Sequence, residues 1–230
     1  MYKSVTLRIW ESYFETFLRF KLPHNNILTL REIGDLTGER ALDSFKKTNG
    51  QVTIISEAAE DRMKAYVVKG ALEASDAVIW TGHAETPDAL VQSLRNACIN
   101  VGAFKDESMA EDQVLSILGL DFHLNKNSNG DRFCGRITYF RRLDETEYTS
   151  DTDERAFHSN AKKFFEMKTG AKRYEPINLI EYDEANKRYL VKNPISQKMK
   201  DSIYKSLQEH DKEEFLEFIQ RFEKQINEVM

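Results

Sequence analysis

Gln51-Val-Thr-Ile-Ile-Ser56, then Glu57-Ala-Ala-Glu-Asp-Arg-Met-Lys-Ala-Tyr-Val-Val-Lys-Gly-Ala71, then Asp76-Ala-Val-Ile-Trp-Thr81: this run decides the fold. The first and third pieces are short apolar stretches rich in β-branched residues, which suits buried strands. Between them Ala59, Met63, Tyr66, Val67, Gly70 and Ala71 recur at helical spacing after Ser56, a good N-cap. Tyr66-Val67-Val68 would also suit a strand, but the preceding Glu-Ala-Ala-Glu-Asp-Arg has high helix propensity and favours the helix. Thr86-Pro87-Asp88 then opens another helix, with a cap, a proline in the first turn and an acid at the positive end of the dipole. Its apolar face carries Leu90, Leu94, Ala97, Cys98 and Val101. Residues 51–104 thus read as β-α-β-α.

Working outward toward the N-terminus, Val5, Leu7 and Ile9 alternate as in a strand. Trp10, Tyr13, Phe14, Phe17 and Leu18 follow at helical spacing up to Pro23. Thr29–Lys47 reads as two short helices broken at Gly38. The segment Leu28–Leu42 loosely resembles a helix-turn-helix, but Glu39 and Ser44 stand where that motif buries apolar residues.

Toward the C-terminus, Met109–Leu118 reads as a helix. A hairpin follows, from Asp121–Leu124 through the turn Asn127-Ser-Asn-Gly130 to Arg132–Arg141. Asp153–Lys168 is helical in pattern. A second hairpin runs Ile177–Tyr182, turns at Asp183–Asn186 and returns through Arg188–Lys192. Ser196–Glu209 and a stripe of Phe215, Phe218, Phe222 and Ile226 then give two more helices, the last starting at the capping-box-like Asp211–Glu214. The expectation is an α+β fold: a mixed or antiparallel sheet holding the β-α-β-α segment (51–104), two hairpins and a C-terminal helical hairpin. One compact domain over 1–230 is expected. The alternative subdivides it into a helical 1–48, an α/β part 51–150 and a basic part 151–230 with the C-terminal helices.

With 230 residues, 40% hydrophobic and 11% aromatic, the chain can fill a core and is not of disordered composition. No apolar window is long enough for a membrane span, and the first residues lack a secretory pattern, so no membrane association and a cytoplasmic location are expected. The two cysteines, Cys98 and Cys134, lie too far apart for a metal spacing and read as reduced packing residues. The five histidines form no ligand pair, so no metal site and no resident cofactor are expected.

Charge is unevenly spread. The chain carries a net charge of -5, yet residues 155–205 hold 12 Lys/Arg against 6 Asp/Glu. Phe157, Phe164, Phe165, Tyr174, Tyr182, Tyr189 and Tyr204 are threaded among those cations. Such a mixture can bind phosphates and stack bases. The leading expectation is a binding protein that contacts nucleic acid or another polyanion through Arg141, Arg142, Lys162, Lys163, Lys172, Arg173, Lys187 and Arg188, with Tyr174. The same residues would equally serve as the wet faces of an ordinary sheet and helix.

Two other sites carry chemistry. Glu166-x-Lys168 with an upstream acid such as Asp153 matches the spacing of Mg-dependent nucleases, where carboxylates hold the metal and the lysine positions water. That chemistry needs Glu166 and Lys168 on one side of a strand. The loop Thr81-Gly-His83-Ala-Glu85-Thr86 lies beyond a strand end, where α/β proteins bind ligands. There His83 and Glu85 form a candidate acid/base pair, joined by Glu57 from the neighbouring strand end. No glycine-rich phosphate loop accompanies it. A third reading has no chemistry: an interaction subunit that docks, or self-associates, through Phe215, Phe218, Phe222 and Ile226.

Overall fold

The computed structural model describes residues 6–11, 26–31, 37, 40, 43–44, 52–55, 57–73, 77–143, 154–169 and 173–227. The chain is α+β, as expected, and divides into two compact units, Met1–Ile117 and Leu118–Met230. The strands form two separate four-stranded sheets, one in each unit.

In the first unit, β1 (Thr6–Glu11), β2 (Asn26–Arg31), β3 (Val52–Ile55) and β4 (Ala77–Trp80) pair in the order β2-β1-β3-β4, all parallel. Helix α1 (Asp61–Glu73) follows β3, and α2 (Pro87–Asn100) and α3 (Glu107–Ile117) follow the edge strand β4. The segment 51–104 is therefore β-α-β-α. Thr29–Arg31, read from sequence as the start of a helix, lies in β2, in register with Ile9–Glu11. Ile27-Leu28-Thr29-Leu30 is a short, mostly apolar run with β-branched Ile27 and Thr29, open to either state, and pairing with β1 holds it in the sheet. The helix-turn-helix resemblance therefore fails at its first helix. Because β1 pairs with β3, the strands at Thr6–Glu11 and Asn26–Arg31 belong to the same sheet as the 51–104 segment. The aromatic run Tyr13–Leu18 lies outside the described residues.

Helix α1 begins at Asp61, five residues after Ser56. The Ala58 amide donates to the Thr81 carbonyl at 2.8 Å, tying this backbone to the end of β4 before a helix can start. Helix α2 begins as its sequence demands: Thr86 Oγ1 accepts from the Ala89 amide at 3.1 Å, and Pro87 holds the first turn. Asp106 caps α3 by accepting from the Met109 amide at 2.8 Å. Arg95 on α2 reaches Glu107 and Glu111 on α3, each at 3.0 Å, and Asn100 on α2 donates to Asp61 on α1 at 2.8 Å. Val67, Val68, Val91, Leu94, Ala97, Cys98, Ala110 and Val114 are fully buried among these helices. Ile55, Ala58, Tyr66 and Val67 join them to the sheet, with Val78, Trp80 and Ile117 at the margin.

The second unit is an antiparallel meander, β5 (Leu120–Lys126), β6 (Arg132–Arg142), β7 (Tyr174–Asp183) and β8 (Arg188–Val191), in spatial order β5-β6-β7-β8. Helix α4 (Glu154–Lys168) lies in the connection from β6 to β7, and α5 (Gln197–Ser206) and α6 (Glu209–Asn227) close the unit. Both expected hairpins form. In the first turn Asn127 Oδ1 accepts from the Asn129 and Asp131 amides, and Gly130 takes φ +91°, a conformation that favours glycine. In the second, Asp183 accepts from both the backbone and the side-chain nitrogen of Asn186. Helix α6 starts at Glu209 and not at Asp211, so Asp211 sits inside the first turn. One face of the sheet packs on α6: Ile219 and Phe222 meet Leu179, Val191 and Ile195, flanked by Tyr139, Ile177, Ile180, Met199, Phe215 and Ile226.

Candidate functional site

Parallel pairing of β3 and β4 places their carboxyl ends side by side. Glu57 follows β3 and His83 follows β4, and their side chains meet, with His83 Nε2 3.1 Å from Glu57 Oε1. The sequence pairs His83 with Glu85 and sets Glu57 beside them; in the structure it is Glu57 that meets His83. A Cβ at Gly82 would stand 2.6 Å from Trp80 Cζ3, so glycine lets bare backbone pass over the indole just before His83. A carboxylate–imidazole pair can hold and exchange a proton. This one stands in the open, with the His83 side chain 88% and the Glu57 side chain 49% exposed. Water screens such a pair strongly.

The basic stretch is spread over several elements. Arg141 is ion-paired with Glu175, its partner in the sheet register. Arg188 lies 3.9 Å from Asp183, Lys192 lies 3.9 Å from Glu181, and Lys200 on α5 lies 2.8 Å from Glu223 on α6. Arg142 and Arg173 are half-buried. Lys162 is exposed on α4, and Lys187 is exposed in the second hairpin turn with φ +50°. Tyr174 is half-buried with its ring 6.2 Å from that of Phe140, and Tyr182 sits between Phe133 and Tyr189 at 4.7 and 5.0 Å. These aromatics pack on one another. Lys172 and the side chain of Lys163 lie outside the described residues.

Glu166 and Lys168 belong to the last turn of α4, not to a strand. Positions two apart on a helix point in opposed directions, so the one-sided arrangement that a metal-dependent nuclease needs is not what this backbone offers. Their side chains, and Asp153, lie outside the described residues. Among the described residues no group of three or more His, Cys, Asp or Glu is placed to hold a metal ion. Cys98 is buried, and burial pushes its thiol up to about 11 against the pull of the Lys69 cation. Cys134 is half-buried and its thiol is also raised by burial.

The C-terminal stripe divides. Phe222 is core, Phe215 and Ile226 are packed at its margin, and only Phe218 is exposed. A different apolar surface, missed in the sequence reading, stands on β5. Leu120, Phe122 and Leu124 are 41, 59 and 71% exposed. Directly opposite them on β6 are Tyr139, Ile137 and Cys134. Paired residues share a face, so this row extends the face that α6 covers over β7 and β8. The alternation Leu-x-Phe-x-Leu was visible in sequence, but period-two alternation ordinarily signals burial. Only the position of α6 reveals that β5 is left uncovered.

No family model and no curated protein matches this chain. Among the described residues no helix is long and apolar enough to cross a membrane.

Proposed function

We propose that this chain works as a protein-association module, and that β5 of the second unit is its docking element. The observation that carries the reading is the exposed row Leu120, Phe122 and Leu124 on the outermost strand of a sheet. Large apolar side chains gathered in water mark interaction surfaces, and an unpaired strand edge adds a line of backbone donors and acceptors. This keeps the non-catalytic interaction role expected from sequence and moves the surface from α6 to β5. The polyanion contact expected of 155–205 has less support, since Arg188, Lys192 and Lys200 each face a carboxylate. The Glu57–His83 pair supports no defined reaction by itself.

A photo-crosslinking amino acid at position 122, with position 187 as control, tests the reading in cells that make the full-length chain. The expected result is an adduct of discrete mass from position 122, identified by mass spectrometry and abolished by Leu124→Lys. Absence of a discrete adduct at 122, or an equal yield from 187, would overturn the proposal.

A further inference from the structure

Within that reading, we infer that the partner of β5 is β5 of a second copy, paired antiparallel about a two-fold axis at Phe122. Backbone direction supports the axis. The Phe140 amide donates to the Gly119 carbonyl at 3.2 Å, which makes Gly119 and Phe140 a hydrogen-bonded pair of the β5–β6 ladder. In an antiparallel ladder such pairs alternate. Asp121 and His123 therefore direct their backbone groups toward β6, whereas Leu120, Phe122 and Leu124 direct theirs away from the sheet. Among the described residues no strand pairs with the outer edge of β5, which thus offers the N–H and C=O of Phe122 at its centre, flanked by those of Leu120 and Leu124.

Side chains then select the register. With Phe122 opposite its own copy, Leu120 faces Leu124 and Asp121 faces His123, each contact occurring twice by symmetry. The apolar residues meet on one face of the sheet. The acid meets the imidazole on the other face, in a non-hydrogen-bonded pair where side chains approach most closely. Moving the axis to His123 keeps the backbone bonds but sets His123 against His123 and Asp121 against Asn125, forfeiting both acid–imidazole contacts. Asp121 already has Arg136 3.8 Å away on its own sheet, so its carboxylate is held on the face where the partner's His123 arrives. The opposite edge is poorly suited to the same use. Strand β8 spans only Arg188–Val191, carries Arg188 paired to Asp183, and lies against α6. Short, charged edges of that kind resist pairing. The dimer would join two four-stranded sheets into one of eight strands.

The purified full-length chain provides the test. Sedimentation over a range of concentrations should show a species of twice the chain mass. Phe122→Lys and Leu124→Lys should each raise its dissociation constant about tenfold or more, as for truncation at the centre of an interface. His123→Asp should weaken the dimer by setting acid against acid, and Asp121→Lys combined with it should restore association. In a Cys134→Ser background, Phe122→Cys should form a symmetric disulfide dimer under mild oxidation. Opposed hydrogen-bonded residues have Cα atoms about 5.5 Å apart, within disulfide reach. His123→Cys should cross-link far less. A monomer at every concentration, or crosslinking stronger at 123 than at 122, would overturn the self-pairing. The association reading would still stand if position 122 captured a different protein in cells. A dimer indifferent to both lysine substitutions would likewise overturn the self-pairing.

Discussion

The two sheets have equal strand numbers and opposite fates. In the parallel sheet a return to the next strand needs a crossover; α1, the crossover from β3 to β4, and Ile117 of α3 pack on those strands, and α2 packs on α1 and α3. Ile55, Val67, Val68, Val91, Leu94 and Val114 are sealed there, whereas Thr138 is the largest fully buried side chain of the second unit among the described residues. The antiparallel meander joins β5 to β6 and β7 to β8 by tight hairpins, which carry nothing across the sheet face, and sends a helix, α4, through the β6–β7 connection alone. On the face that carries Leu120, Phe122 and Leu124, helix α6 packs on β7 and β8 and leaves that row of β5 exposed. The difference teaches that connection type, more than strand composition, decides which apolar rows are hidden.

The contrast can be broken most forcefully in the first unit. Leu94→Ala should cost about 2–5 kcal/mol, read from urea unfolding, because the helices around it can close the cavity only partly. Phe122→Lys sharpens the same comparison. Measured at concentrations low enough to keep the chain monomeric, it should leave stability within about 0.5 kcal/mol of the parent. A loss as large as that of Leu94→Ala would mean that β5 is core, and the distinction would fall.

The smallest effect concerns the hairpin turn. The Asn186 side chain donates to Asp183 and, with its backbone amide and the nearby Arg188, holds that carboxyl below its ordinary 3.8. A carboxyl lowered by folding adds stability above its unfolded pKa, and that stability is lost as the pH falls through the lower folded value. The unfolding midpoint should therefore drop more steeply below about pH 4 in the parent than in Asn186→Ala. Equal slopes would show that the turn contributes nothing to pH dependence.

What the sequence settled by itself was local. Thr86-Pro87-Asp88, Asn127–Gly130 and Asp183–Asn186 act through bonds to near neighbours, so the helix start and both hairpin turns follow from residue type. That Glu57 and His83 lie near one another was legible because both follow short strands of one β-α-β unit, but the sequence paired His83 with Glu85, and the contact with Glu57 came from the tertiary structure. Where propensity was ambiguous, tertiary structure ruled: Asn26–Arg31 became a strand because β1 offers it a parallel edge. The state of the cations and of the apolar stripes was decided in the same way. Arg141 is neutralised across the sheet by Glu175 and Lys200 across two helices by Glu223, pairings that span long sequence separations. Phe222 and Phe122 are indistinguishable as letters. One is buried and the other stands in water because α6 lies over β7 and β8 and not over β5, and periodicity records which residues share a face but not what covers it.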